Sequence, residues 1–224
     1  MTPATQIIVI DGPAGAGKSS VAKAVAHALG FAFLDTGAMY RAATWRALHH
    51  GLDLGDTAAL IASTRAMNLA LEERAEGLRV VVDGEDITDA IRTPEVTRAI
   101  FRLDQIAGVR ELLVAMQREI GAKRPTVAEG RDMGSVVFPE AKCKIFLDAD
   151  LSERSRRRAA QLREKGIPVD EAALAAEIHE RDEQGRNREH APLVQAADAI
   201  RIDTTGREFE EIVDEIVARA REVL

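Results

Sequence analysis

Apolar residues along this chain follow two rhythms. Ile7 to Ile10 is an unbroken β-branched run closed by Asp11-Gly12, which is how a strand buried on both faces of a parallel sheet reads. From Ser19 to Leu29 the spacing changes. Val21, Ala22, Val25 and Leu29 fall on one face of a predicted helix, and Gly30 stops it. Phe31 to Leu34 reads as a second buried strand, with a helix beginning near Ala38. Two later runs, Pro125 to Ala128 and Lys144 to Leu147, each end in an acidic residue, Glu129 or Asp148. Ala199 to Ile202 is a fifth candidate strand, and a last helix is predicted from about Glu208. Strands alternating with helices build βαβ units, so the prediction is an α/β protein with a doubly wound five-stranded parallel sheet. Ligands of such a sheet sit at the carboxyl ends of its strands.

Two stretches break the alternation. Between Asn68 and Thr88 the pattern turns to short extended runs, and Asp83-Gly84 between apolar residues signals a tight hairpin. A small antiparallel β insertion is predicted there. Residues 151–186 are highly charged and helical, with Gly166-Ile167-Pro168 breaking them into two helices. They are short of large apolar residues, which suits a helical lid over a site better than a core. The predicted organisation is a core of 1–61, 104–150 and 187–224, an insertion at 62–103 and a lid at 151–186.

Composition narrows the function classes. The 224 residues carry 30 basic against 37 acidic side chains, a net charge of -7. That argues against non-specific binding to nucleic acid or an anionic membrane, both of which need a positive field. Cys143 is the only cysteine, so no intrachain disulfide forms. The first residues lack a basic segment and a long apolar run, so neither a signal peptide nor a membrane span is expected. The expectation is a cytoplasmic protein with no nucleic-acid or membrane partner.

The strongest chemical signal is Gly12-Pro13-Ala14-Gly15-Ala16-Gly17-Lys18-Ser19, followed by Ser20. It matches the phosphate-binding P-loop pattern in full and lies between a predicted strand and a predicted helix. Its glycines let successive N–H groups point at phosphate oxygens, and the helix N-terminus adds partial positive charge. Lys18 suits the β- and γ-phosphates of ATP, and Ser19 suits Mg²⁺. Asp35-Thr36-Gly37-Ala38-Met39-Tyr40-Arg41 and Glu129-Gly130-Arg131-Asp132-Met133-Gly134 follow the second and third strands, where an anionic ligand would enter. Taken alone, the first of these is also what a helix N-cap with a solvated arginine looks like, and the second what a purely structural ion pair looks like. In the charged stretch, Arg154, Arg157 and Arg158 fall at i, i+3 and i+4, on one predicted helical face, and Arg181 and Arg188, seven apart, are expected to share a face of the next helical segment. Clustered guanidinium groups repel one another unless an anion lies among them, and a transferring phosphoryl group is such an anion. The alternative is a solvated face neutralised by Glu153, Glu164 and Glu177, and Arg163 is expected to be of that kind. Trp45 is expected in the core. The histidines show no metal-ligand spacing.

Together these residues resemble the bacterial cytidylate kinase family over nearly the whole chain. The likeness is carried by I-D-G-P-A-G-A-G-K-S from Ile10, L-D-T-G-A-M-Y-R from Leu34, I-R-T-P-E-V from Ile91 and G-R-D-M-G-S-V-V-F-P from Gly130. K-I-F-L-D-A from Lys144, E-R-D from Glu180 and R-E-H-A-P-L from Arg188 complete it. The resemblance implies a monomeric nucleoside monophosphate kinase of the P-loop fold, transferring phosphate from ATP with Mg²⁺ to CMP or dCMP. It implies that Gly12 to Ser20 with Arg154, Arg157 and Arg158 bind ATP. Thr36, Tyr40, Arg41, Arg110, Arg131, Asp132, Arg181 and Arg188 would bind CMP. Within that set, Arg131 and Asp132 would read the cytosine edge, Arg41, Arg110 and Arg188 the acceptor phosphate, and Arg181 the ribose and phosphate side. Lys18, Arg131, Arg158, Arg181 and Arg188 would act in transfer.

Two positions depart from the family. Phe101 stands where a serine usually meets the base, and Gly185 where an aspartate usually holds the ribose hydroxyls. Each change removes a hydrogen-bonding group worth about 1 to 3 kcal/mol if the ligand's own group then goes unpaired. A shifted acceptor such as UMP, or a non-catalytic ATP-binding module, therefore stands beside the main expectation.

Overall fold

The β-branched run near the start of the chain forms the central strand of a five-stranded parallel sheet. A computed structural model describes residues 6–74, 77–164, 166–188 and 191–224. In chain order the elements are β1 (Ile7–Asp11), α1 (Lys18–Leu29), β2 (Ala32–Asp35), α2 (Thr36–His49) and α3 (Thr57–Ala66). Next come β3 (Leu69–Arg74), β4 (Gly77–Val82), β5 (Glu85–Asp86), α4 (Pro94–Leu103) and α5 (Ala107–Gly121). The chain closes with β6 (Thr126–Gly130), β7 (Cys143–Asp148), α6 (Leu151–Glu164), α7 (Glu171–Arg186), β8 (Ile200–Asp203) and α8 (Phe209–Val223). The sheet order is β2-β6-β1-β7-β8. β1 lies parallel to both β6 and β7, with Ile10 opposite Glu129 on one side and Ile145 on the other.

The chain divides into two compact units, Met1–Leu34 with Gly121–Leu224, and Asp35–Ile120. In the first, Ile8, Ile10, Val127, Ile145 and Leu147 of the sheet meet Val21 and Val25 of α1 and Ile212, Ile216 and Val217 of α8. Full burial of each large aliphatic side chain contributes about 1.5–3 kcal/mol. That cluster is what holds the strand ends still. Helices α6 and α7 carry a much smaller cluster of their own, Ala159, Leu174 and Ile178 with Leu151, Leu162 and Val169 against it. Asp170 starts α7 by accepting a hydrogen bond from the Ala173 N–H at 3.0 Å.

In the second unit, α2 packs against α3, α4, β4 and a 3₁₀ turn at Ala90–Arg92. β3, β4 and β5 form an antiparallel sheet. The β4–β5 turn places both Asp83 and Gly84 at positive φ, 53° and 91°, as the Asp-Gly signal predicts. Trp45 departs from expectation. It is half-buried and stacks on His49 at 4.7 Å rather than entering the core.

Candidate active site

The chain leaves β1 through a turn that only glycine permits. Gly12 has φ 149°, and a Cβ there would lie 2.0 Å from the Leu147 carbonyl oxygen of β7. That close approach brings the loop down onto the carboxyl ends of the strands. Gly17 then enters α1 in the left-handed region, φ 88°, with no side-chain cap. The first N–H groups of α1 are thus left for a ligand, as anion binding at a helix N-terminus requires.

Five charged groups converge on the loop. Lys18 Nζ donates to the Pro13 carbonyl at 2.7 Å. Burial pushes its ammonium down to about 8, and the neighbouring Arg131 guanidinium pushes the same way, while Glu129, Asp11 and Asp182 oppose them. Ser19 Oγ donates to Glu129 Oε1 at 2.6 Å. Asp11 accepts from the Met133 and Gly134 N–H groups at 2.9 and 2.8 Å. Burial raises Asp11 to about 6 against those two bonds, and the Asp132 charge adds to the rise. Asp11 therefore anchors the turn after β6, a π-helical turn over Met133–Val137, directly beyond Arg131 and Asp132.

The arginines of α6 do not form one free face. Arg154 is buried, pairs with Asp182, and donates to the carbonyls of Ala14 and Ala149, both at 2.9 Å. Arg157 binds Glu153 and holds Thr204 after β8 through the Oγ1 at 2.9 Å and the carbonyl at 2.7 Å. Its Nη1 lies 3.9 Å from where a Cβ on Gly17 would be. Arg158 is half-buried and has no carboxylate partner among the described residues. It reaches only the Gln161 side chain, at 3.4 Å. Arg163 pairs with Glu171 at the surface, as expected of a solvated residue. Arg181 lies on α7, but Arg188 does not share its helical face, because α7 ends at Arg186 with Asn187 as its cap. Ala191 at φ 50° before Pro192 turns the chain away. Of the string from Arg188, Glu189 and His190 lie outside the described residues.

The other sequence candidates fall in the second unit, around the start of α2. Asp35 caps the helix by accepting from the Ala38 N–H at 2.8 Å. Arg41 folds back over Gly37, its Nη1 3.0 Å from where a Cβ would stand. Thr36 and Tyr40 are buried. Arg110 is buried too, with its guanidinium carbon 5.7 Å from the Tyr40 ring centre and Nη1 3.3 Å from the Asp104 carbonyl. Phe101 lines an open cleft of about 440 Å³ with Leu48, Leu54 and Arg102, whose guanidinium stands 5.2 Å from its ring centre.

Sequence reasoning missed the partners of these residues more than the residues themselves. Glu129 stood out as a strand-end acid, but its bond to Ser19 joins positions 110 apart. Nothing in the local pattern marks Asp182 as a neighbour of Ala14.

A family model described as cytidylate kinase matches residues 8–222. The chain belongs to the cytidylate kinase family. It is 46% identical to a "Cytidylate kinase" of Enterococcus faecalis over 92% of its own length and 91% of that protein's. The one from Klebsiella pneumoniae is 44% identical over 100% and 99%. It is also 48% identical to a "Bifunctional pantoate ligase/cytidylate kinase" of Parasynechococcus marenigrum, covering 96% of the chain but 43% of that protein. The chain thus spans less than half the length of such bifunctional relatives. Among solved structures, an uncharacterised protein from Eubacterium ventriosum shares the fold, with TM-score 0.52 at 14% identity over 97% and 99% of the two chains. Among the described residues, no helix is long and apolar enough to cross a membrane.

Proposed function

We propose that the protein transfers the γ-phosphoryl group of ATP to the 5′-phosphate of CMP or dCMP, giving ADP and CDP or dCDP. The observation that carries this reading is the convergence of Glu129, Arg131, Asp11 and Asp182 on the Lys18 ammonium inside a full phosphate-binding loop. Membership of the cytidylate kinase family over residues 8–222 supports the choice of acceptor.

The residues present fit a magnesium ion. Ser19 and Glu129 bring a hydroxyl and a carboxylate to within 2.6 Å of each other at the loop, an all-oxygen set of the kind hard cations take. When bound, Mg²⁺ neutralises charge on the donor phosphates. The loop N–H groups and Lys18 bind and orient those phosphates. Arg158 in the lid, with Arg131, Arg181 and Arg188, offsets charge on the transferring group. The acceptor phosphate is already ionised, so no strong general base is required. Thr36, Tyr40, Arg41, Arg110 and Asp132 complete the acceptor set, with 62–103 as the acceptor-side insertion and 151–186 as a lid that excludes water. The protein acts as a cytoplasmic monomer in this reading.

One observation favours a shifted acceptor. A Cβ on Gly185 would lie 2.8 Å from Arg131 Nη1, so Arg131 occupies the space a side chain at 185 would fill. An acceptor panel decides between the readings. ADP release is measured with CMP, UMP, AMP, GMP and their deoxy forms. CMP and dCMP are expected to give the highest kcat/KM; UMP ahead of both would overturn the cytidylate reading.

A further inference from the structure

Ala14 is held on both sides of its backbone by the lid. Its N–H donates to Asp182 Oδ1 at 3.2 Å, and its carbonyl accepts from Arg154 Nη1 at 2.9 Å. Asp182 Oδ2 in turn pairs with the same Arg154 nitrogen. Both side chains are buried, Asp182 to 1% exposure. Arg154 is also pinned from behind, its Nε donating to the Ala149 carbonyl at 2.9 Å. The loop lies tight against the α6 backbone, since a Cβ on Gly15 would be 3.2 Å from Arg154 Cβ. Pro13 has no N–H, and the Ala14 N–H is taken by a carboxylate. The amides that remain for donor phosphate therefore begin at Gly15.

We propose that Asp182 and Arg154 are positioning residues for the donor site, a neutral clamp that fixes the Ala14 peptide groups and so aims the amides from Gly15 to Ser19. Asp182 brings a buried negative charge to a loop built for anions. Left alone it would repel the phosphates it helps to place, and Arg154 cancels that charge while holding the carbonyl. Arg154 then acts on ATP through the loop rather than by touching it. The proposal rests on the donor-site reading above.

Binding of Mg·ADP, measured by calorimetry, tests the clamp independently of any acceptor. R154M leaves the Asp182 charge uncompensated, and its affinity for Mg·ADP is expected to fall about a hundredfold. D182N removes the repelling charge but loosens the loop. It is expected to bind Mg·ADP at least as tightly as wild type while kcat with ATP falls about tenfold. In the double variant R154M/D182N, affinity is expected to recover about tenfold over R154M. A residue that touched the nucleotide directly would not be rescued this way. No recovery in the double variant, or full kcat in D182N, overturns the clamp. Should R154M fail to fold, the opposed changes in affinity and kcat of D182N decide alone, since a purely structural loss lowers both or neither. A wild-type protein that bound no Mg·ADP would instead overturn the donor-site reading itself.

Discussion

The sheet core and the α6–α7 hairpin of the first unit are held by different forces. Around β1 and β7, aliphatic side chains from α1 and α8 close a large dry cluster in which Ile8, Ile10 and Ile216 are fully buried. Among the described residues, the apolar cluster of the α6–α7 hairpin has just Ala159, Leu174 and Ile178 buried. It reaches the loop and the strand ends through polar links: Arg154 and Asp182 on Ala14, and Arg157 on Thr204. Dry packing is non-directional and insensitive to a ligand's charge. Charged hydrogen bonds answer to each anion that arrives. The proposed transfer would use both, a cradle fixed by packing and a cover that responds to phosphate.

The largest expected effect falls on the cradle's chemistry without touching its packing. Lys18→Ala is expected to lower kcat by about a thousandfold, as loss of a charged transition-state contact does. Its thermal unfolding should be unchanged or later, because a partly desolvated cation is removed. Turnover near wild type would take Lys18 out of the mechanism.

Packing comes next. Ile216→Ala should destabilise the whole protein by about 2–5 kcal/mol in denaturant unfolding. Leu174→Ala in the hairpin should cost about 1–2 kcal/mol, mostly seen as faster amide exchange in 151–186. Equal losses of global stability from the two variants would erase the contrast between the core and the α6–α7 hairpin.

A smaller effect is expected with pH. Burial lowers the Lys18 ammonium to about 8, so below that pH it is charged in the free enzyme and above it neutral. Bound phosphate favours the charged form. Thus kcat/KM for ATP should fall as pH rises through about 8, while kcat holds to higher pH. A flat kcat/KM up to pH 10 would contradict the placement of that ammonium.

Gly185→Ala is the mildest test. The helix gains about 1 kcal/mol of propensity, but the new Cβ must displace Arg131 Nη1 from 2.8 Å. An acceptor KM raised about three- to tenfold, the value of one hydrogen bond, is expected. No change would show that Arg131 moves freely there.

How much of this was legible in the chain depends on distance along it. The strand-loop-helix unit from Ile7 to Leu29 and the Asp83-Gly84 turn are written locally, in runs, glycines and positive-φ residues. The arginines of α6 were legible as a spacing, yet their duties were not. Whether Arg154 meets a phosphate or Asp182 depends on how α6 lies on α7, and helical periodicity carries no such information. The π-helical turn at Met133–Val137 is held by Asp11, more than a hundred residues earlier, through two backbone amides. The polar run continues past Asn187 and so suggests a helix through Arg188, but α7 ends at Arg186 and the chain turns at Ala191 and Pro192.

In the proposed reaction phosphate passes directly from ATP to a cytidine monophosphate rather than to water. Phosphorus NMR of the protein with Mg·ATP and CMP reads this in one spectrum. Growth of CDP and ADP signals in equal amounts, with no inorganic phosphate and no growth for Lys18→Ala, is the expected result. ADP accumulating with inorganic phosphate and unchanged CMP would contradict it.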